Sequence, residues 1–92
     1  MRCIAYLSKE GTDIMNKRCQ MIAPIFPELR QIHLQSNGTV ILDGELIVMS
    51  NGKPEFDKLQ SRALTSDSFK VNLASKANPA TFVVFSVIIC IL

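Results

Sequence analysis

Apolar and polar residues alternate from the start of the chain. Arg2 to Ser8 has the period of two that is typical of a β-strand, and Lys9 to Thr12 predicts a turn. Asp13 to Lys17 predicts a short strand that pairs back on the first. The odd-numbered residues Cys3, Ala5 and Leu7 share one side of the first strand, and Ile4 and Tyr6 share the other.

The pattern then changes to a helical one. Pro27 suits the first turn of a helix, where its missing N–H has no partner to lose. Apolar positions follow at helical spacing, so the sequence predicts a helix from Pro27 to about Gln35. Asn37-Gly38 ends this helix and begins the next strand.

The run from Leu42 to Val48 reads as strand, yet an acid, a glycine and a second acid lie at its centre. Gly44 allows another backbone to approach closely, or allows a bend. Buried carboxylates are costly, so Asp43 and Glu45 should face water, a cation or hydrogen-bond donors. Residues 39 to 49 form either one long strand or two strands joined at Gly44.

The second half continues an α+β order within a single domain. Residues 50 to 53 predict a turn, and residues 70 to 76 a short helix. A helix packed on a sheet is predicted by the spacing of Phe56, Leu59, Ala63 and Leu64. Phe82 to Cys90 predicts a last strand, whose continuous apolar character favours burial on both faces.

Composition narrows the class of protein. A hydrophobic content of 48% with 20% charged residues is typical of a globular domain, and a net charge of +2 is too small to indicate a nucleic-acid binder. Three cysteines without C-x-x-C spacing argue against a disulfide framework or a zinc site, and favour a reducing cytoplasm. The apolar run from Thr81 to Leu92 is 12 residues long, whereas a membrane-spanning helix needs about 20.

Several short motifs follow one another along the chain: R-C-I-A-Y-L from Arg2, N-K-R from Asn16, F-P-E-L from Phe26, D-G-E-L from Asp43, F-D-K-L-Q-S-R from Phe56 and F-V-V-F from Phe82. Taken in this order, they resemble the middle of the adenylation domain of ATP-dependent DNA ligases. The resemblance covers roughly residues 2 to 85, and it implies a partial DNA-ligase nucleotidyltransferase (ATP-grasp-like) fold, with an antiparallel sheet and flanking helices. The family's nucleophilic lysine belongs to a K-x-D-G-x-R motif, of which only the last two positions fall here, on Met1 and Arg2.

The resemblance implies a nucleotide site. Arg2 and Arg18 match arginines near the bound nucleotide, and planar guanidinium groups suit phosphate and ribose oxygens. Glu45 matches a glutamate near the ribose and the metal-bound phosphates, and a carboxylate is a ligand that Mg²⁺ prefers. Phe85 matches the aromatic residue that stacks on adenine. The implied cofactors are ATP and Mg²⁺, and the implied partner is nicked double-stranded DNA.

The chain departs from the family at two places. Cys19 follows Arg18 where the family usually has asparagine, and Ser86 stands where it has aspartate, after which residues 86–92 form a divergent apolar tail. We expect residues 1–92 to be a fragment of a DNA ligase that acts in replication, recombination and repair, inactive alone because its nucleophilic lysine is missing. We also expect self-association through exposed strand edges. The alternative is a small non-catalytic α+β binding or interaction domain in which D-G-E-L forms a hairpin.

Overall fold

The structure, a computed structural model, describes residues 1–91. The fold is α+β, and its five strands form one antiparallel sheet in the order β2-β1-β3-β4, with β5 paired to β3. The strands are β1 (Arg2–Ser8), β2 (Gly11–Asn16), β3 (Thr39–Ser50), β4 (Lys53–Pro54) and β5 (Ala80–Ile91). The predicted hairpin is therefore confirmed, and residues 39 to 49 belong to one strand that runs through Gly44.

Two α-helices and three short 3-10 helices lie among the strands. The α-helices are α1 (Phe56–Ala63) and α2 (Ser68–Ala77), and the 3-10 helices are Ala23–Ile25, Pro27–Leu29 and Ile32–Gln35. The Asp67 side chain caps α2 by accepting a hydrogen bond from the backbone N–H of Lys70 at 3.1 Å.

The continuous helix predicted from Pro27 to Gln35 is wrong, because the segment forms two separate 3-10 helices. In an α-helix the N–H of His33 would donate to the carbonyl four residues earlier. It donates instead to the hydroxyl of Thr12 at 3.1 Å, so a side chain from β2 interrupts the helical ladder.

The hydrophobic core lies on one face of the sheet, here called the inner face. Cys3, Ala5 and Leu7 are buried there, which confirms the predicted alternation of β1. Phe26 and Leu59 cover this face from the 3-10 region and from α1. The opposite face, here called the outer face, carries the even-numbered residues of β1.

The predicted apolar face of α1 is only partly correct. Leu59 is buried, but Phe56 and Leu64 are 69% and 81% exposed. The second buried residue of the helix is Arg62, three positions after Leu59. The second inward-facing position of the helix thus belongs to an arginine that the predicted apolar spacing did not include.

The predicted burial of the last strand on both faces is also wrong. Among residues 1–91, β5 pairs with β3 alone and forms an edge of the sheet. Ala80 is buried and Phe82 packs against the core, but the apolar residues beyond them are exposed. A continuous apolar run does not reveal whether a strand lies at the centre or at the edge of its sheet.

Gly44 allows the close backbone approach that its position in the strand predicts. A Cβ placed there would clash with the carbonyl oxygen of Val83 and would lie 2.7 Å from an atom of the Phe82 ring. The glycine therefore lets β5 lie close against β3, and the Phe82 ring covers the space that a side chain would fill.

A buried ion pair joins the 3-10 region, α1 and the start of β5. The guanidinium of Arg62 donates to both carboxylate oxygens of Glu28, and its side chain is only 2% exposed. It also donates to the carbonyls of Ile25 at 2.9 Å and Asn78 at 3.0 Å. Glu28 in turn accepts from the backbone N–H of Ala80 at 2.7 Å, the first residue of β5.

We expect Arg62→Met to lower the free energy of unfolding by about 3–5 kcal/mol, because it leaves the Glu28 carboxylate without its charged partner. Arg62→Lys keeps the charge but loses the paired donors, so its cost should be smaller. Denaturant unfolding followed by circular dichroism measures both. The control is Arg30→Met, an exposed arginine whose replacement should change stability by about 0.5 kcal/mol or less. Equal costs for Arg62→Met and Arg30→Met would contradict the structural role of the pair.

Candidate functional site

Three of the four predicted nucleotide-binding residues meet on the outer face of the sheet. Arg2 in β1 lies directly opposite Glu45 in β3, so both side chains point to the same face. The guanidinium carbon of Arg2 lies 5.0 Å from the centre of the Phe85 ring in β5, within the range of a cation–π contact. These residues come from three different strands, and β3 brings the other two together.

A β-bulge presents Phe85 to this cluster. Gly44 pairs with Val84 and Asp43 pairs with Ser86, so Phe85 is an extra residue in β5 with no partner in β3. Bulges of this kind redirect a side chain, and they are frequent beside binding sites. The Phe85 ring is 54% exposed, which leaves part of its surface free to contact a planar ligand.

Asp43 fixes the position of Arg2. Its carboxylate accepts two hydrogen bonds from the guanidinium, at 3.0 Å from Nε and 2.7 Å from Nη2. These bonds raise the pKa of Arg2, and the same bonds, donated by Arg2, hold the pKa of Asp43 below its ordinary value. A guanidinium has five N–H donors, so three remain for other partners. The sequence predicted only that Asp43 should face water, a cation or hydrogen-bond donors, and it did not identify Arg2 as the donor.

We expect Arg2→Gln to raise the pKa of Asp43 toward its ordinary value, because the charged donor is lost. The lowered pKa of Asp43 means that the pair stabilises the fold above the ordinary carboxyl pKa, and that this contribution disappears as the pH falls through the lowered value. Carboxyl-carbon NMR titration of both proteins measures the change.

Arg30→Gln is the control for this titration, since it removes an exposed arginine from the 3-10 region and should leave the pKa of Asp43 unchanged. An identical Asp43 titration in the parent and in Arg2→Gln would mean that the ion pair does not form in solution.

Arg18 lies in a tight loop that follows β2, and the side chain of Asn16 shapes this loop. The Asn16 carbonyl oxygen Oδ1 accepts from the backbone N–H of Arg18 at 2.9 Å and of Gln20 at 3.0 Å. Its Nδ2 donates to the side chain of Gln20 at 2.9 Å. Side-chain bonds of asparagine to nearby backbone groups are typical of turns, so N-K-R is a turn with Arg18 near its tip.

Cys19 has a backbone φ of 60°, which places it in the left-handed region. This conformation costs ordinary L-residues about 1–2 kcal/mol, whereas asparagine adopts it more readily. The ligase resemblance expects asparagine at this position, so the backbone has the conformation that asparagine favours although the side chain differs.

We expect Cys19→Asn to raise the free energy of unfolding by about 0.5–1 kcal/mol, because asparagine tolerates the left-handed conformation better. Cys19→Ala is the matched control, since it removes the thiol but keeps the unfavourable backbone, and it should bring no gain. Denaturant unfolding of the three proteins under reducing conditions gives the comparison. An asparagine variant no more stable than the alanine variant would show that the loop has a different backbone conformation.

Arg2 and Arg18 also line one open groove at the end of the sheet, with a volume of about 680 Å³. One part of its lining is basic and includes Lys17, and no acidic residue contributes to it. The apolar lining residues are Met1, Met21, Ile22, Ile25, Phe26, Ala63 and Leu64. Arg2 therefore belongs both to the groove and to the cluster on the outer face, whereas Arg18 reaches only the groove.

The remaining reactive groups offer little chemistry of their own. Burial raises the pKa of the Cys3 thiol to about 11, so it is a poor nucleophile at neutral pH. Within residues 1–91 no three His, Cys, Asp or Glu side chains are grouped as metal ligands. A carboxylate such as Glu45 could hold Mg²⁺ only together with oxygen ligands from elsewhere, such as water. No helix in the described part of the chain is long and apolar enough to cross a membrane.

Comparison with known protein families and with curated proteins finds no match to this chain. The resemblance to DNA ligases therefore stays a prediction from the ordered motifs.

Proposed function

We propose that this chain is part of the adenylation domain of an ATP-dependent DNA ligase and binds an adenine nucleotide on the outer face of its sheet. One observation carries this proposal. Arg2, Glu45 and Phe85 are far apart in the sequence, and each was assigned to the nucleotide by its own motif. All three lie together on one face, around a guanidinium whose position Asp43 fixes.

Each group suits a different part of the nucleotide. The exposed surface of the Phe85 ring suits adenine, because base–aromatic stacking contributes about 1–3 kcal/mol. Glu45 belongs to neither of the two ion pairs found within residues 1–91, and its carboxylate suits ribose hydroxyls or Mg²⁺. The phosphates would then extend past Arg2 toward the basic part of the groove, at Lys17 and Arg18.

The buried ion pair gives a second line of support. Glu28 belongs to the F-P-E-L motif and Arg62 ends the F-D-K-L-Q-S-R motif, 34 residues later in the chain. The two motifs pack against each other through charged side chains, and this contact is a reason for both to occur in one fold. The partial nucleotidyltransferase (ATP-grasp-like) fold is accordingly part of the proposal.

In the ligase family a lysine attacks the α-phosphate of ATP and displaces pyrophosphate. The AMP then passes from the lysine to the 5′-phosphate of nicked DNA, and the 3′-hydroxyl displaces AMP. The lysine of the K-x-D-G-x-R motif does not occur in these 92 residues. We therefore assign to this chain nucleotide binding rather than catalysis, within a protein of DNA replication, recombination and repair. A non-catalytic interaction domain is the competing function, and nucleotide binding distinguishes the two.

We expect ATP with Mg²⁺ to bind with a dissociation constant of about 1 mM, since few phosphate contacts are present. Phe85→Ala should weaken binding about 5-fold or more by removing the stacking surface. Glu45→Ala should reduce the contribution of Mg²⁺. Amide NMR shifts followed during an ATP titration suit this weak affinity, and they should concentrate on β1, the loop after β2 and the centre of β3.

Phe69→Ala is the matched control, because Phe69 is 71% exposed on α2, away from the sheet. Equal binding by the Phe85 and Phe69 variants would refute the site, and the absence of localised shifts would favour the interaction domain. Incubation with α-labelled ATP and Mg²⁺ should leave no AMP attached after denaturation. A stoichiometric AMP–lysine adduct would contradict the assignment of binding without catalysis.

A further inference from the structure

The two long edges of the sheet differ in their protection. The β2 edge is covered by the chain that follows it, because the N–H of Ile22 donates to the carbonyl of Ile14 at 2.8 Å and Met21 bridges to Met15. The exposed Asp13 adds a charge to this edge. Covered and charged edges resist pairing with other strands.

In the part of the chain that the structure describes, the β5 edge has neither a covering segment nor a charged residue. Within residues 1–91 it pairs only with β3, so its second row of backbone N–H and C=O groups has no strand beside it. No charged residue occurs from Ala80 to Ile91. Its exposed large apolar residues, at 40% to 61% exposure, are Val83, Val84, Phe85, Val87, Ile88, Ile89 and Ile91.

We propose that two copies of this chain pair along β5 in an antiparallel, two-fold symmetric dimer. The free edge requires a partner that supplies an extended strand, and the apolar side chains on both faces require that strand to be apolar on both faces as well. The β5 of a second copy meets both requirements. In every antiparallel register it places uncharged residues opposite uncharged residues, and the net charge of +2 per chain gives little repulsion.

The same geometry makes the assembly stop at two copies. A two-fold axis at β5 uses the same edge of both chains, so one pairing occupies both free edges. The outer edges of the resulting eight-stranded sheet, β2-β1-β3-β5 and its copy, are both β2 edges. The segment at Met21 and Ile22 already covers each of them. The structure therefore points to a closed dimer rather than to open-ended association.

Sedimentation equilibrium over about 5–200 µM protein tests the proposal, since pairing depends on concentration. The mass should rise to twice the 10.2 kDa of one chain and no further. Val87→Lys with Ile89→Lys adds two charges to each β5 strand and should weaken dimerisation about 100-fold or more. The matched control, Phe69→Lys with Leu73→Lys, adds the same charge on exposed positions of α2 and should still dimerise.

A monomer at every concentration, growth beyond two copies, or equal loss in both lysine variants would each overturn the proposal. Cysteine cross-linking tests the pairing of the two β5 strands even if the β5 lysine variant fails to fold. Cysteines are placed one at a time at positions 83 to 89 in a Cys19→Ser, Cys90→Ser background, which keeps only the buried Cys3, and are then oxidised.

In a two-fold dimer, moving the cysteine one residue away from the axis along β5 increases the distance between that position in the two copies by about 6.6 Å. Disulfides should therefore form at no more than about three consecutive positions. Cross-linking at every second position would indicate packing through a face of the sheet and would overturn edge pairing.

Discussion

The position of β5, and with it part of the candidate site, depends on the buried pair between Arg62 and Glu28. A guanidinium is costly to bury unless its donors find partners. Here it bonds to both oxygens of Glu28 and to two backbone carbonyls, and it lies 4.7 Å from the centre of the Phe26 ring. Glu28 also receives the N–H of Ala80, so the pair holds the first residue of β5 against the 3-10 region. The strand that carries Phe85 starts from this fixed point.

Gly44 sets the second constraint, near the middle of the sheet. Because side chains alternate along a strand, the D-G-E run sends both acids to the outer face and turns the glycine inward. The outward acids have distinct surroundings: Asp43 holds Arg2, and Glu45 lies opposite Arg2 without forming an ion pair. The inward glycine admits the Val83 carbonyl and the Phe82 ring. One short run thus orients the site and brings β5 close to β3.

The sequence predicts where strands and helices occur better than it predicts which residues they contact. Alternation correctly predicts β1 and its buried side, because burial of one face imposes that pattern directly. The break between the two 3-10 helices after Pro27 depends on Thr12, a residue from another strand, so no local pattern could reveal it. The inward turn of Arg62 depends on Glu28 in the same way. Of the candidate site, the motifs predict Arg2, Glu45 and Phe85, which lie together, and Arg18, which lies apart from them in the groove. The bond between Asp43 and Arg2 became visible only with the register of β1 and β3.

The bulge at Phe85 explains how one strand can serve the site and still keep its apolar side toward the core. Without the extra residue, Ser86 would lie opposite Leu42 and turn toward the inner face. With it, Ser86 lies opposite Asp43 on the outer face, and Val87 lies opposite Leu42. The polar residue thus avoids the core side, and Phe85 remains beside Arg2. The bulge also interrupts the regular backbone of the free edge, since a bulged strand bends and twists more strongly. The extra residue at the candidate site therefore limits how many consecutive hydrogen bonds the same strand can form with a neighbour.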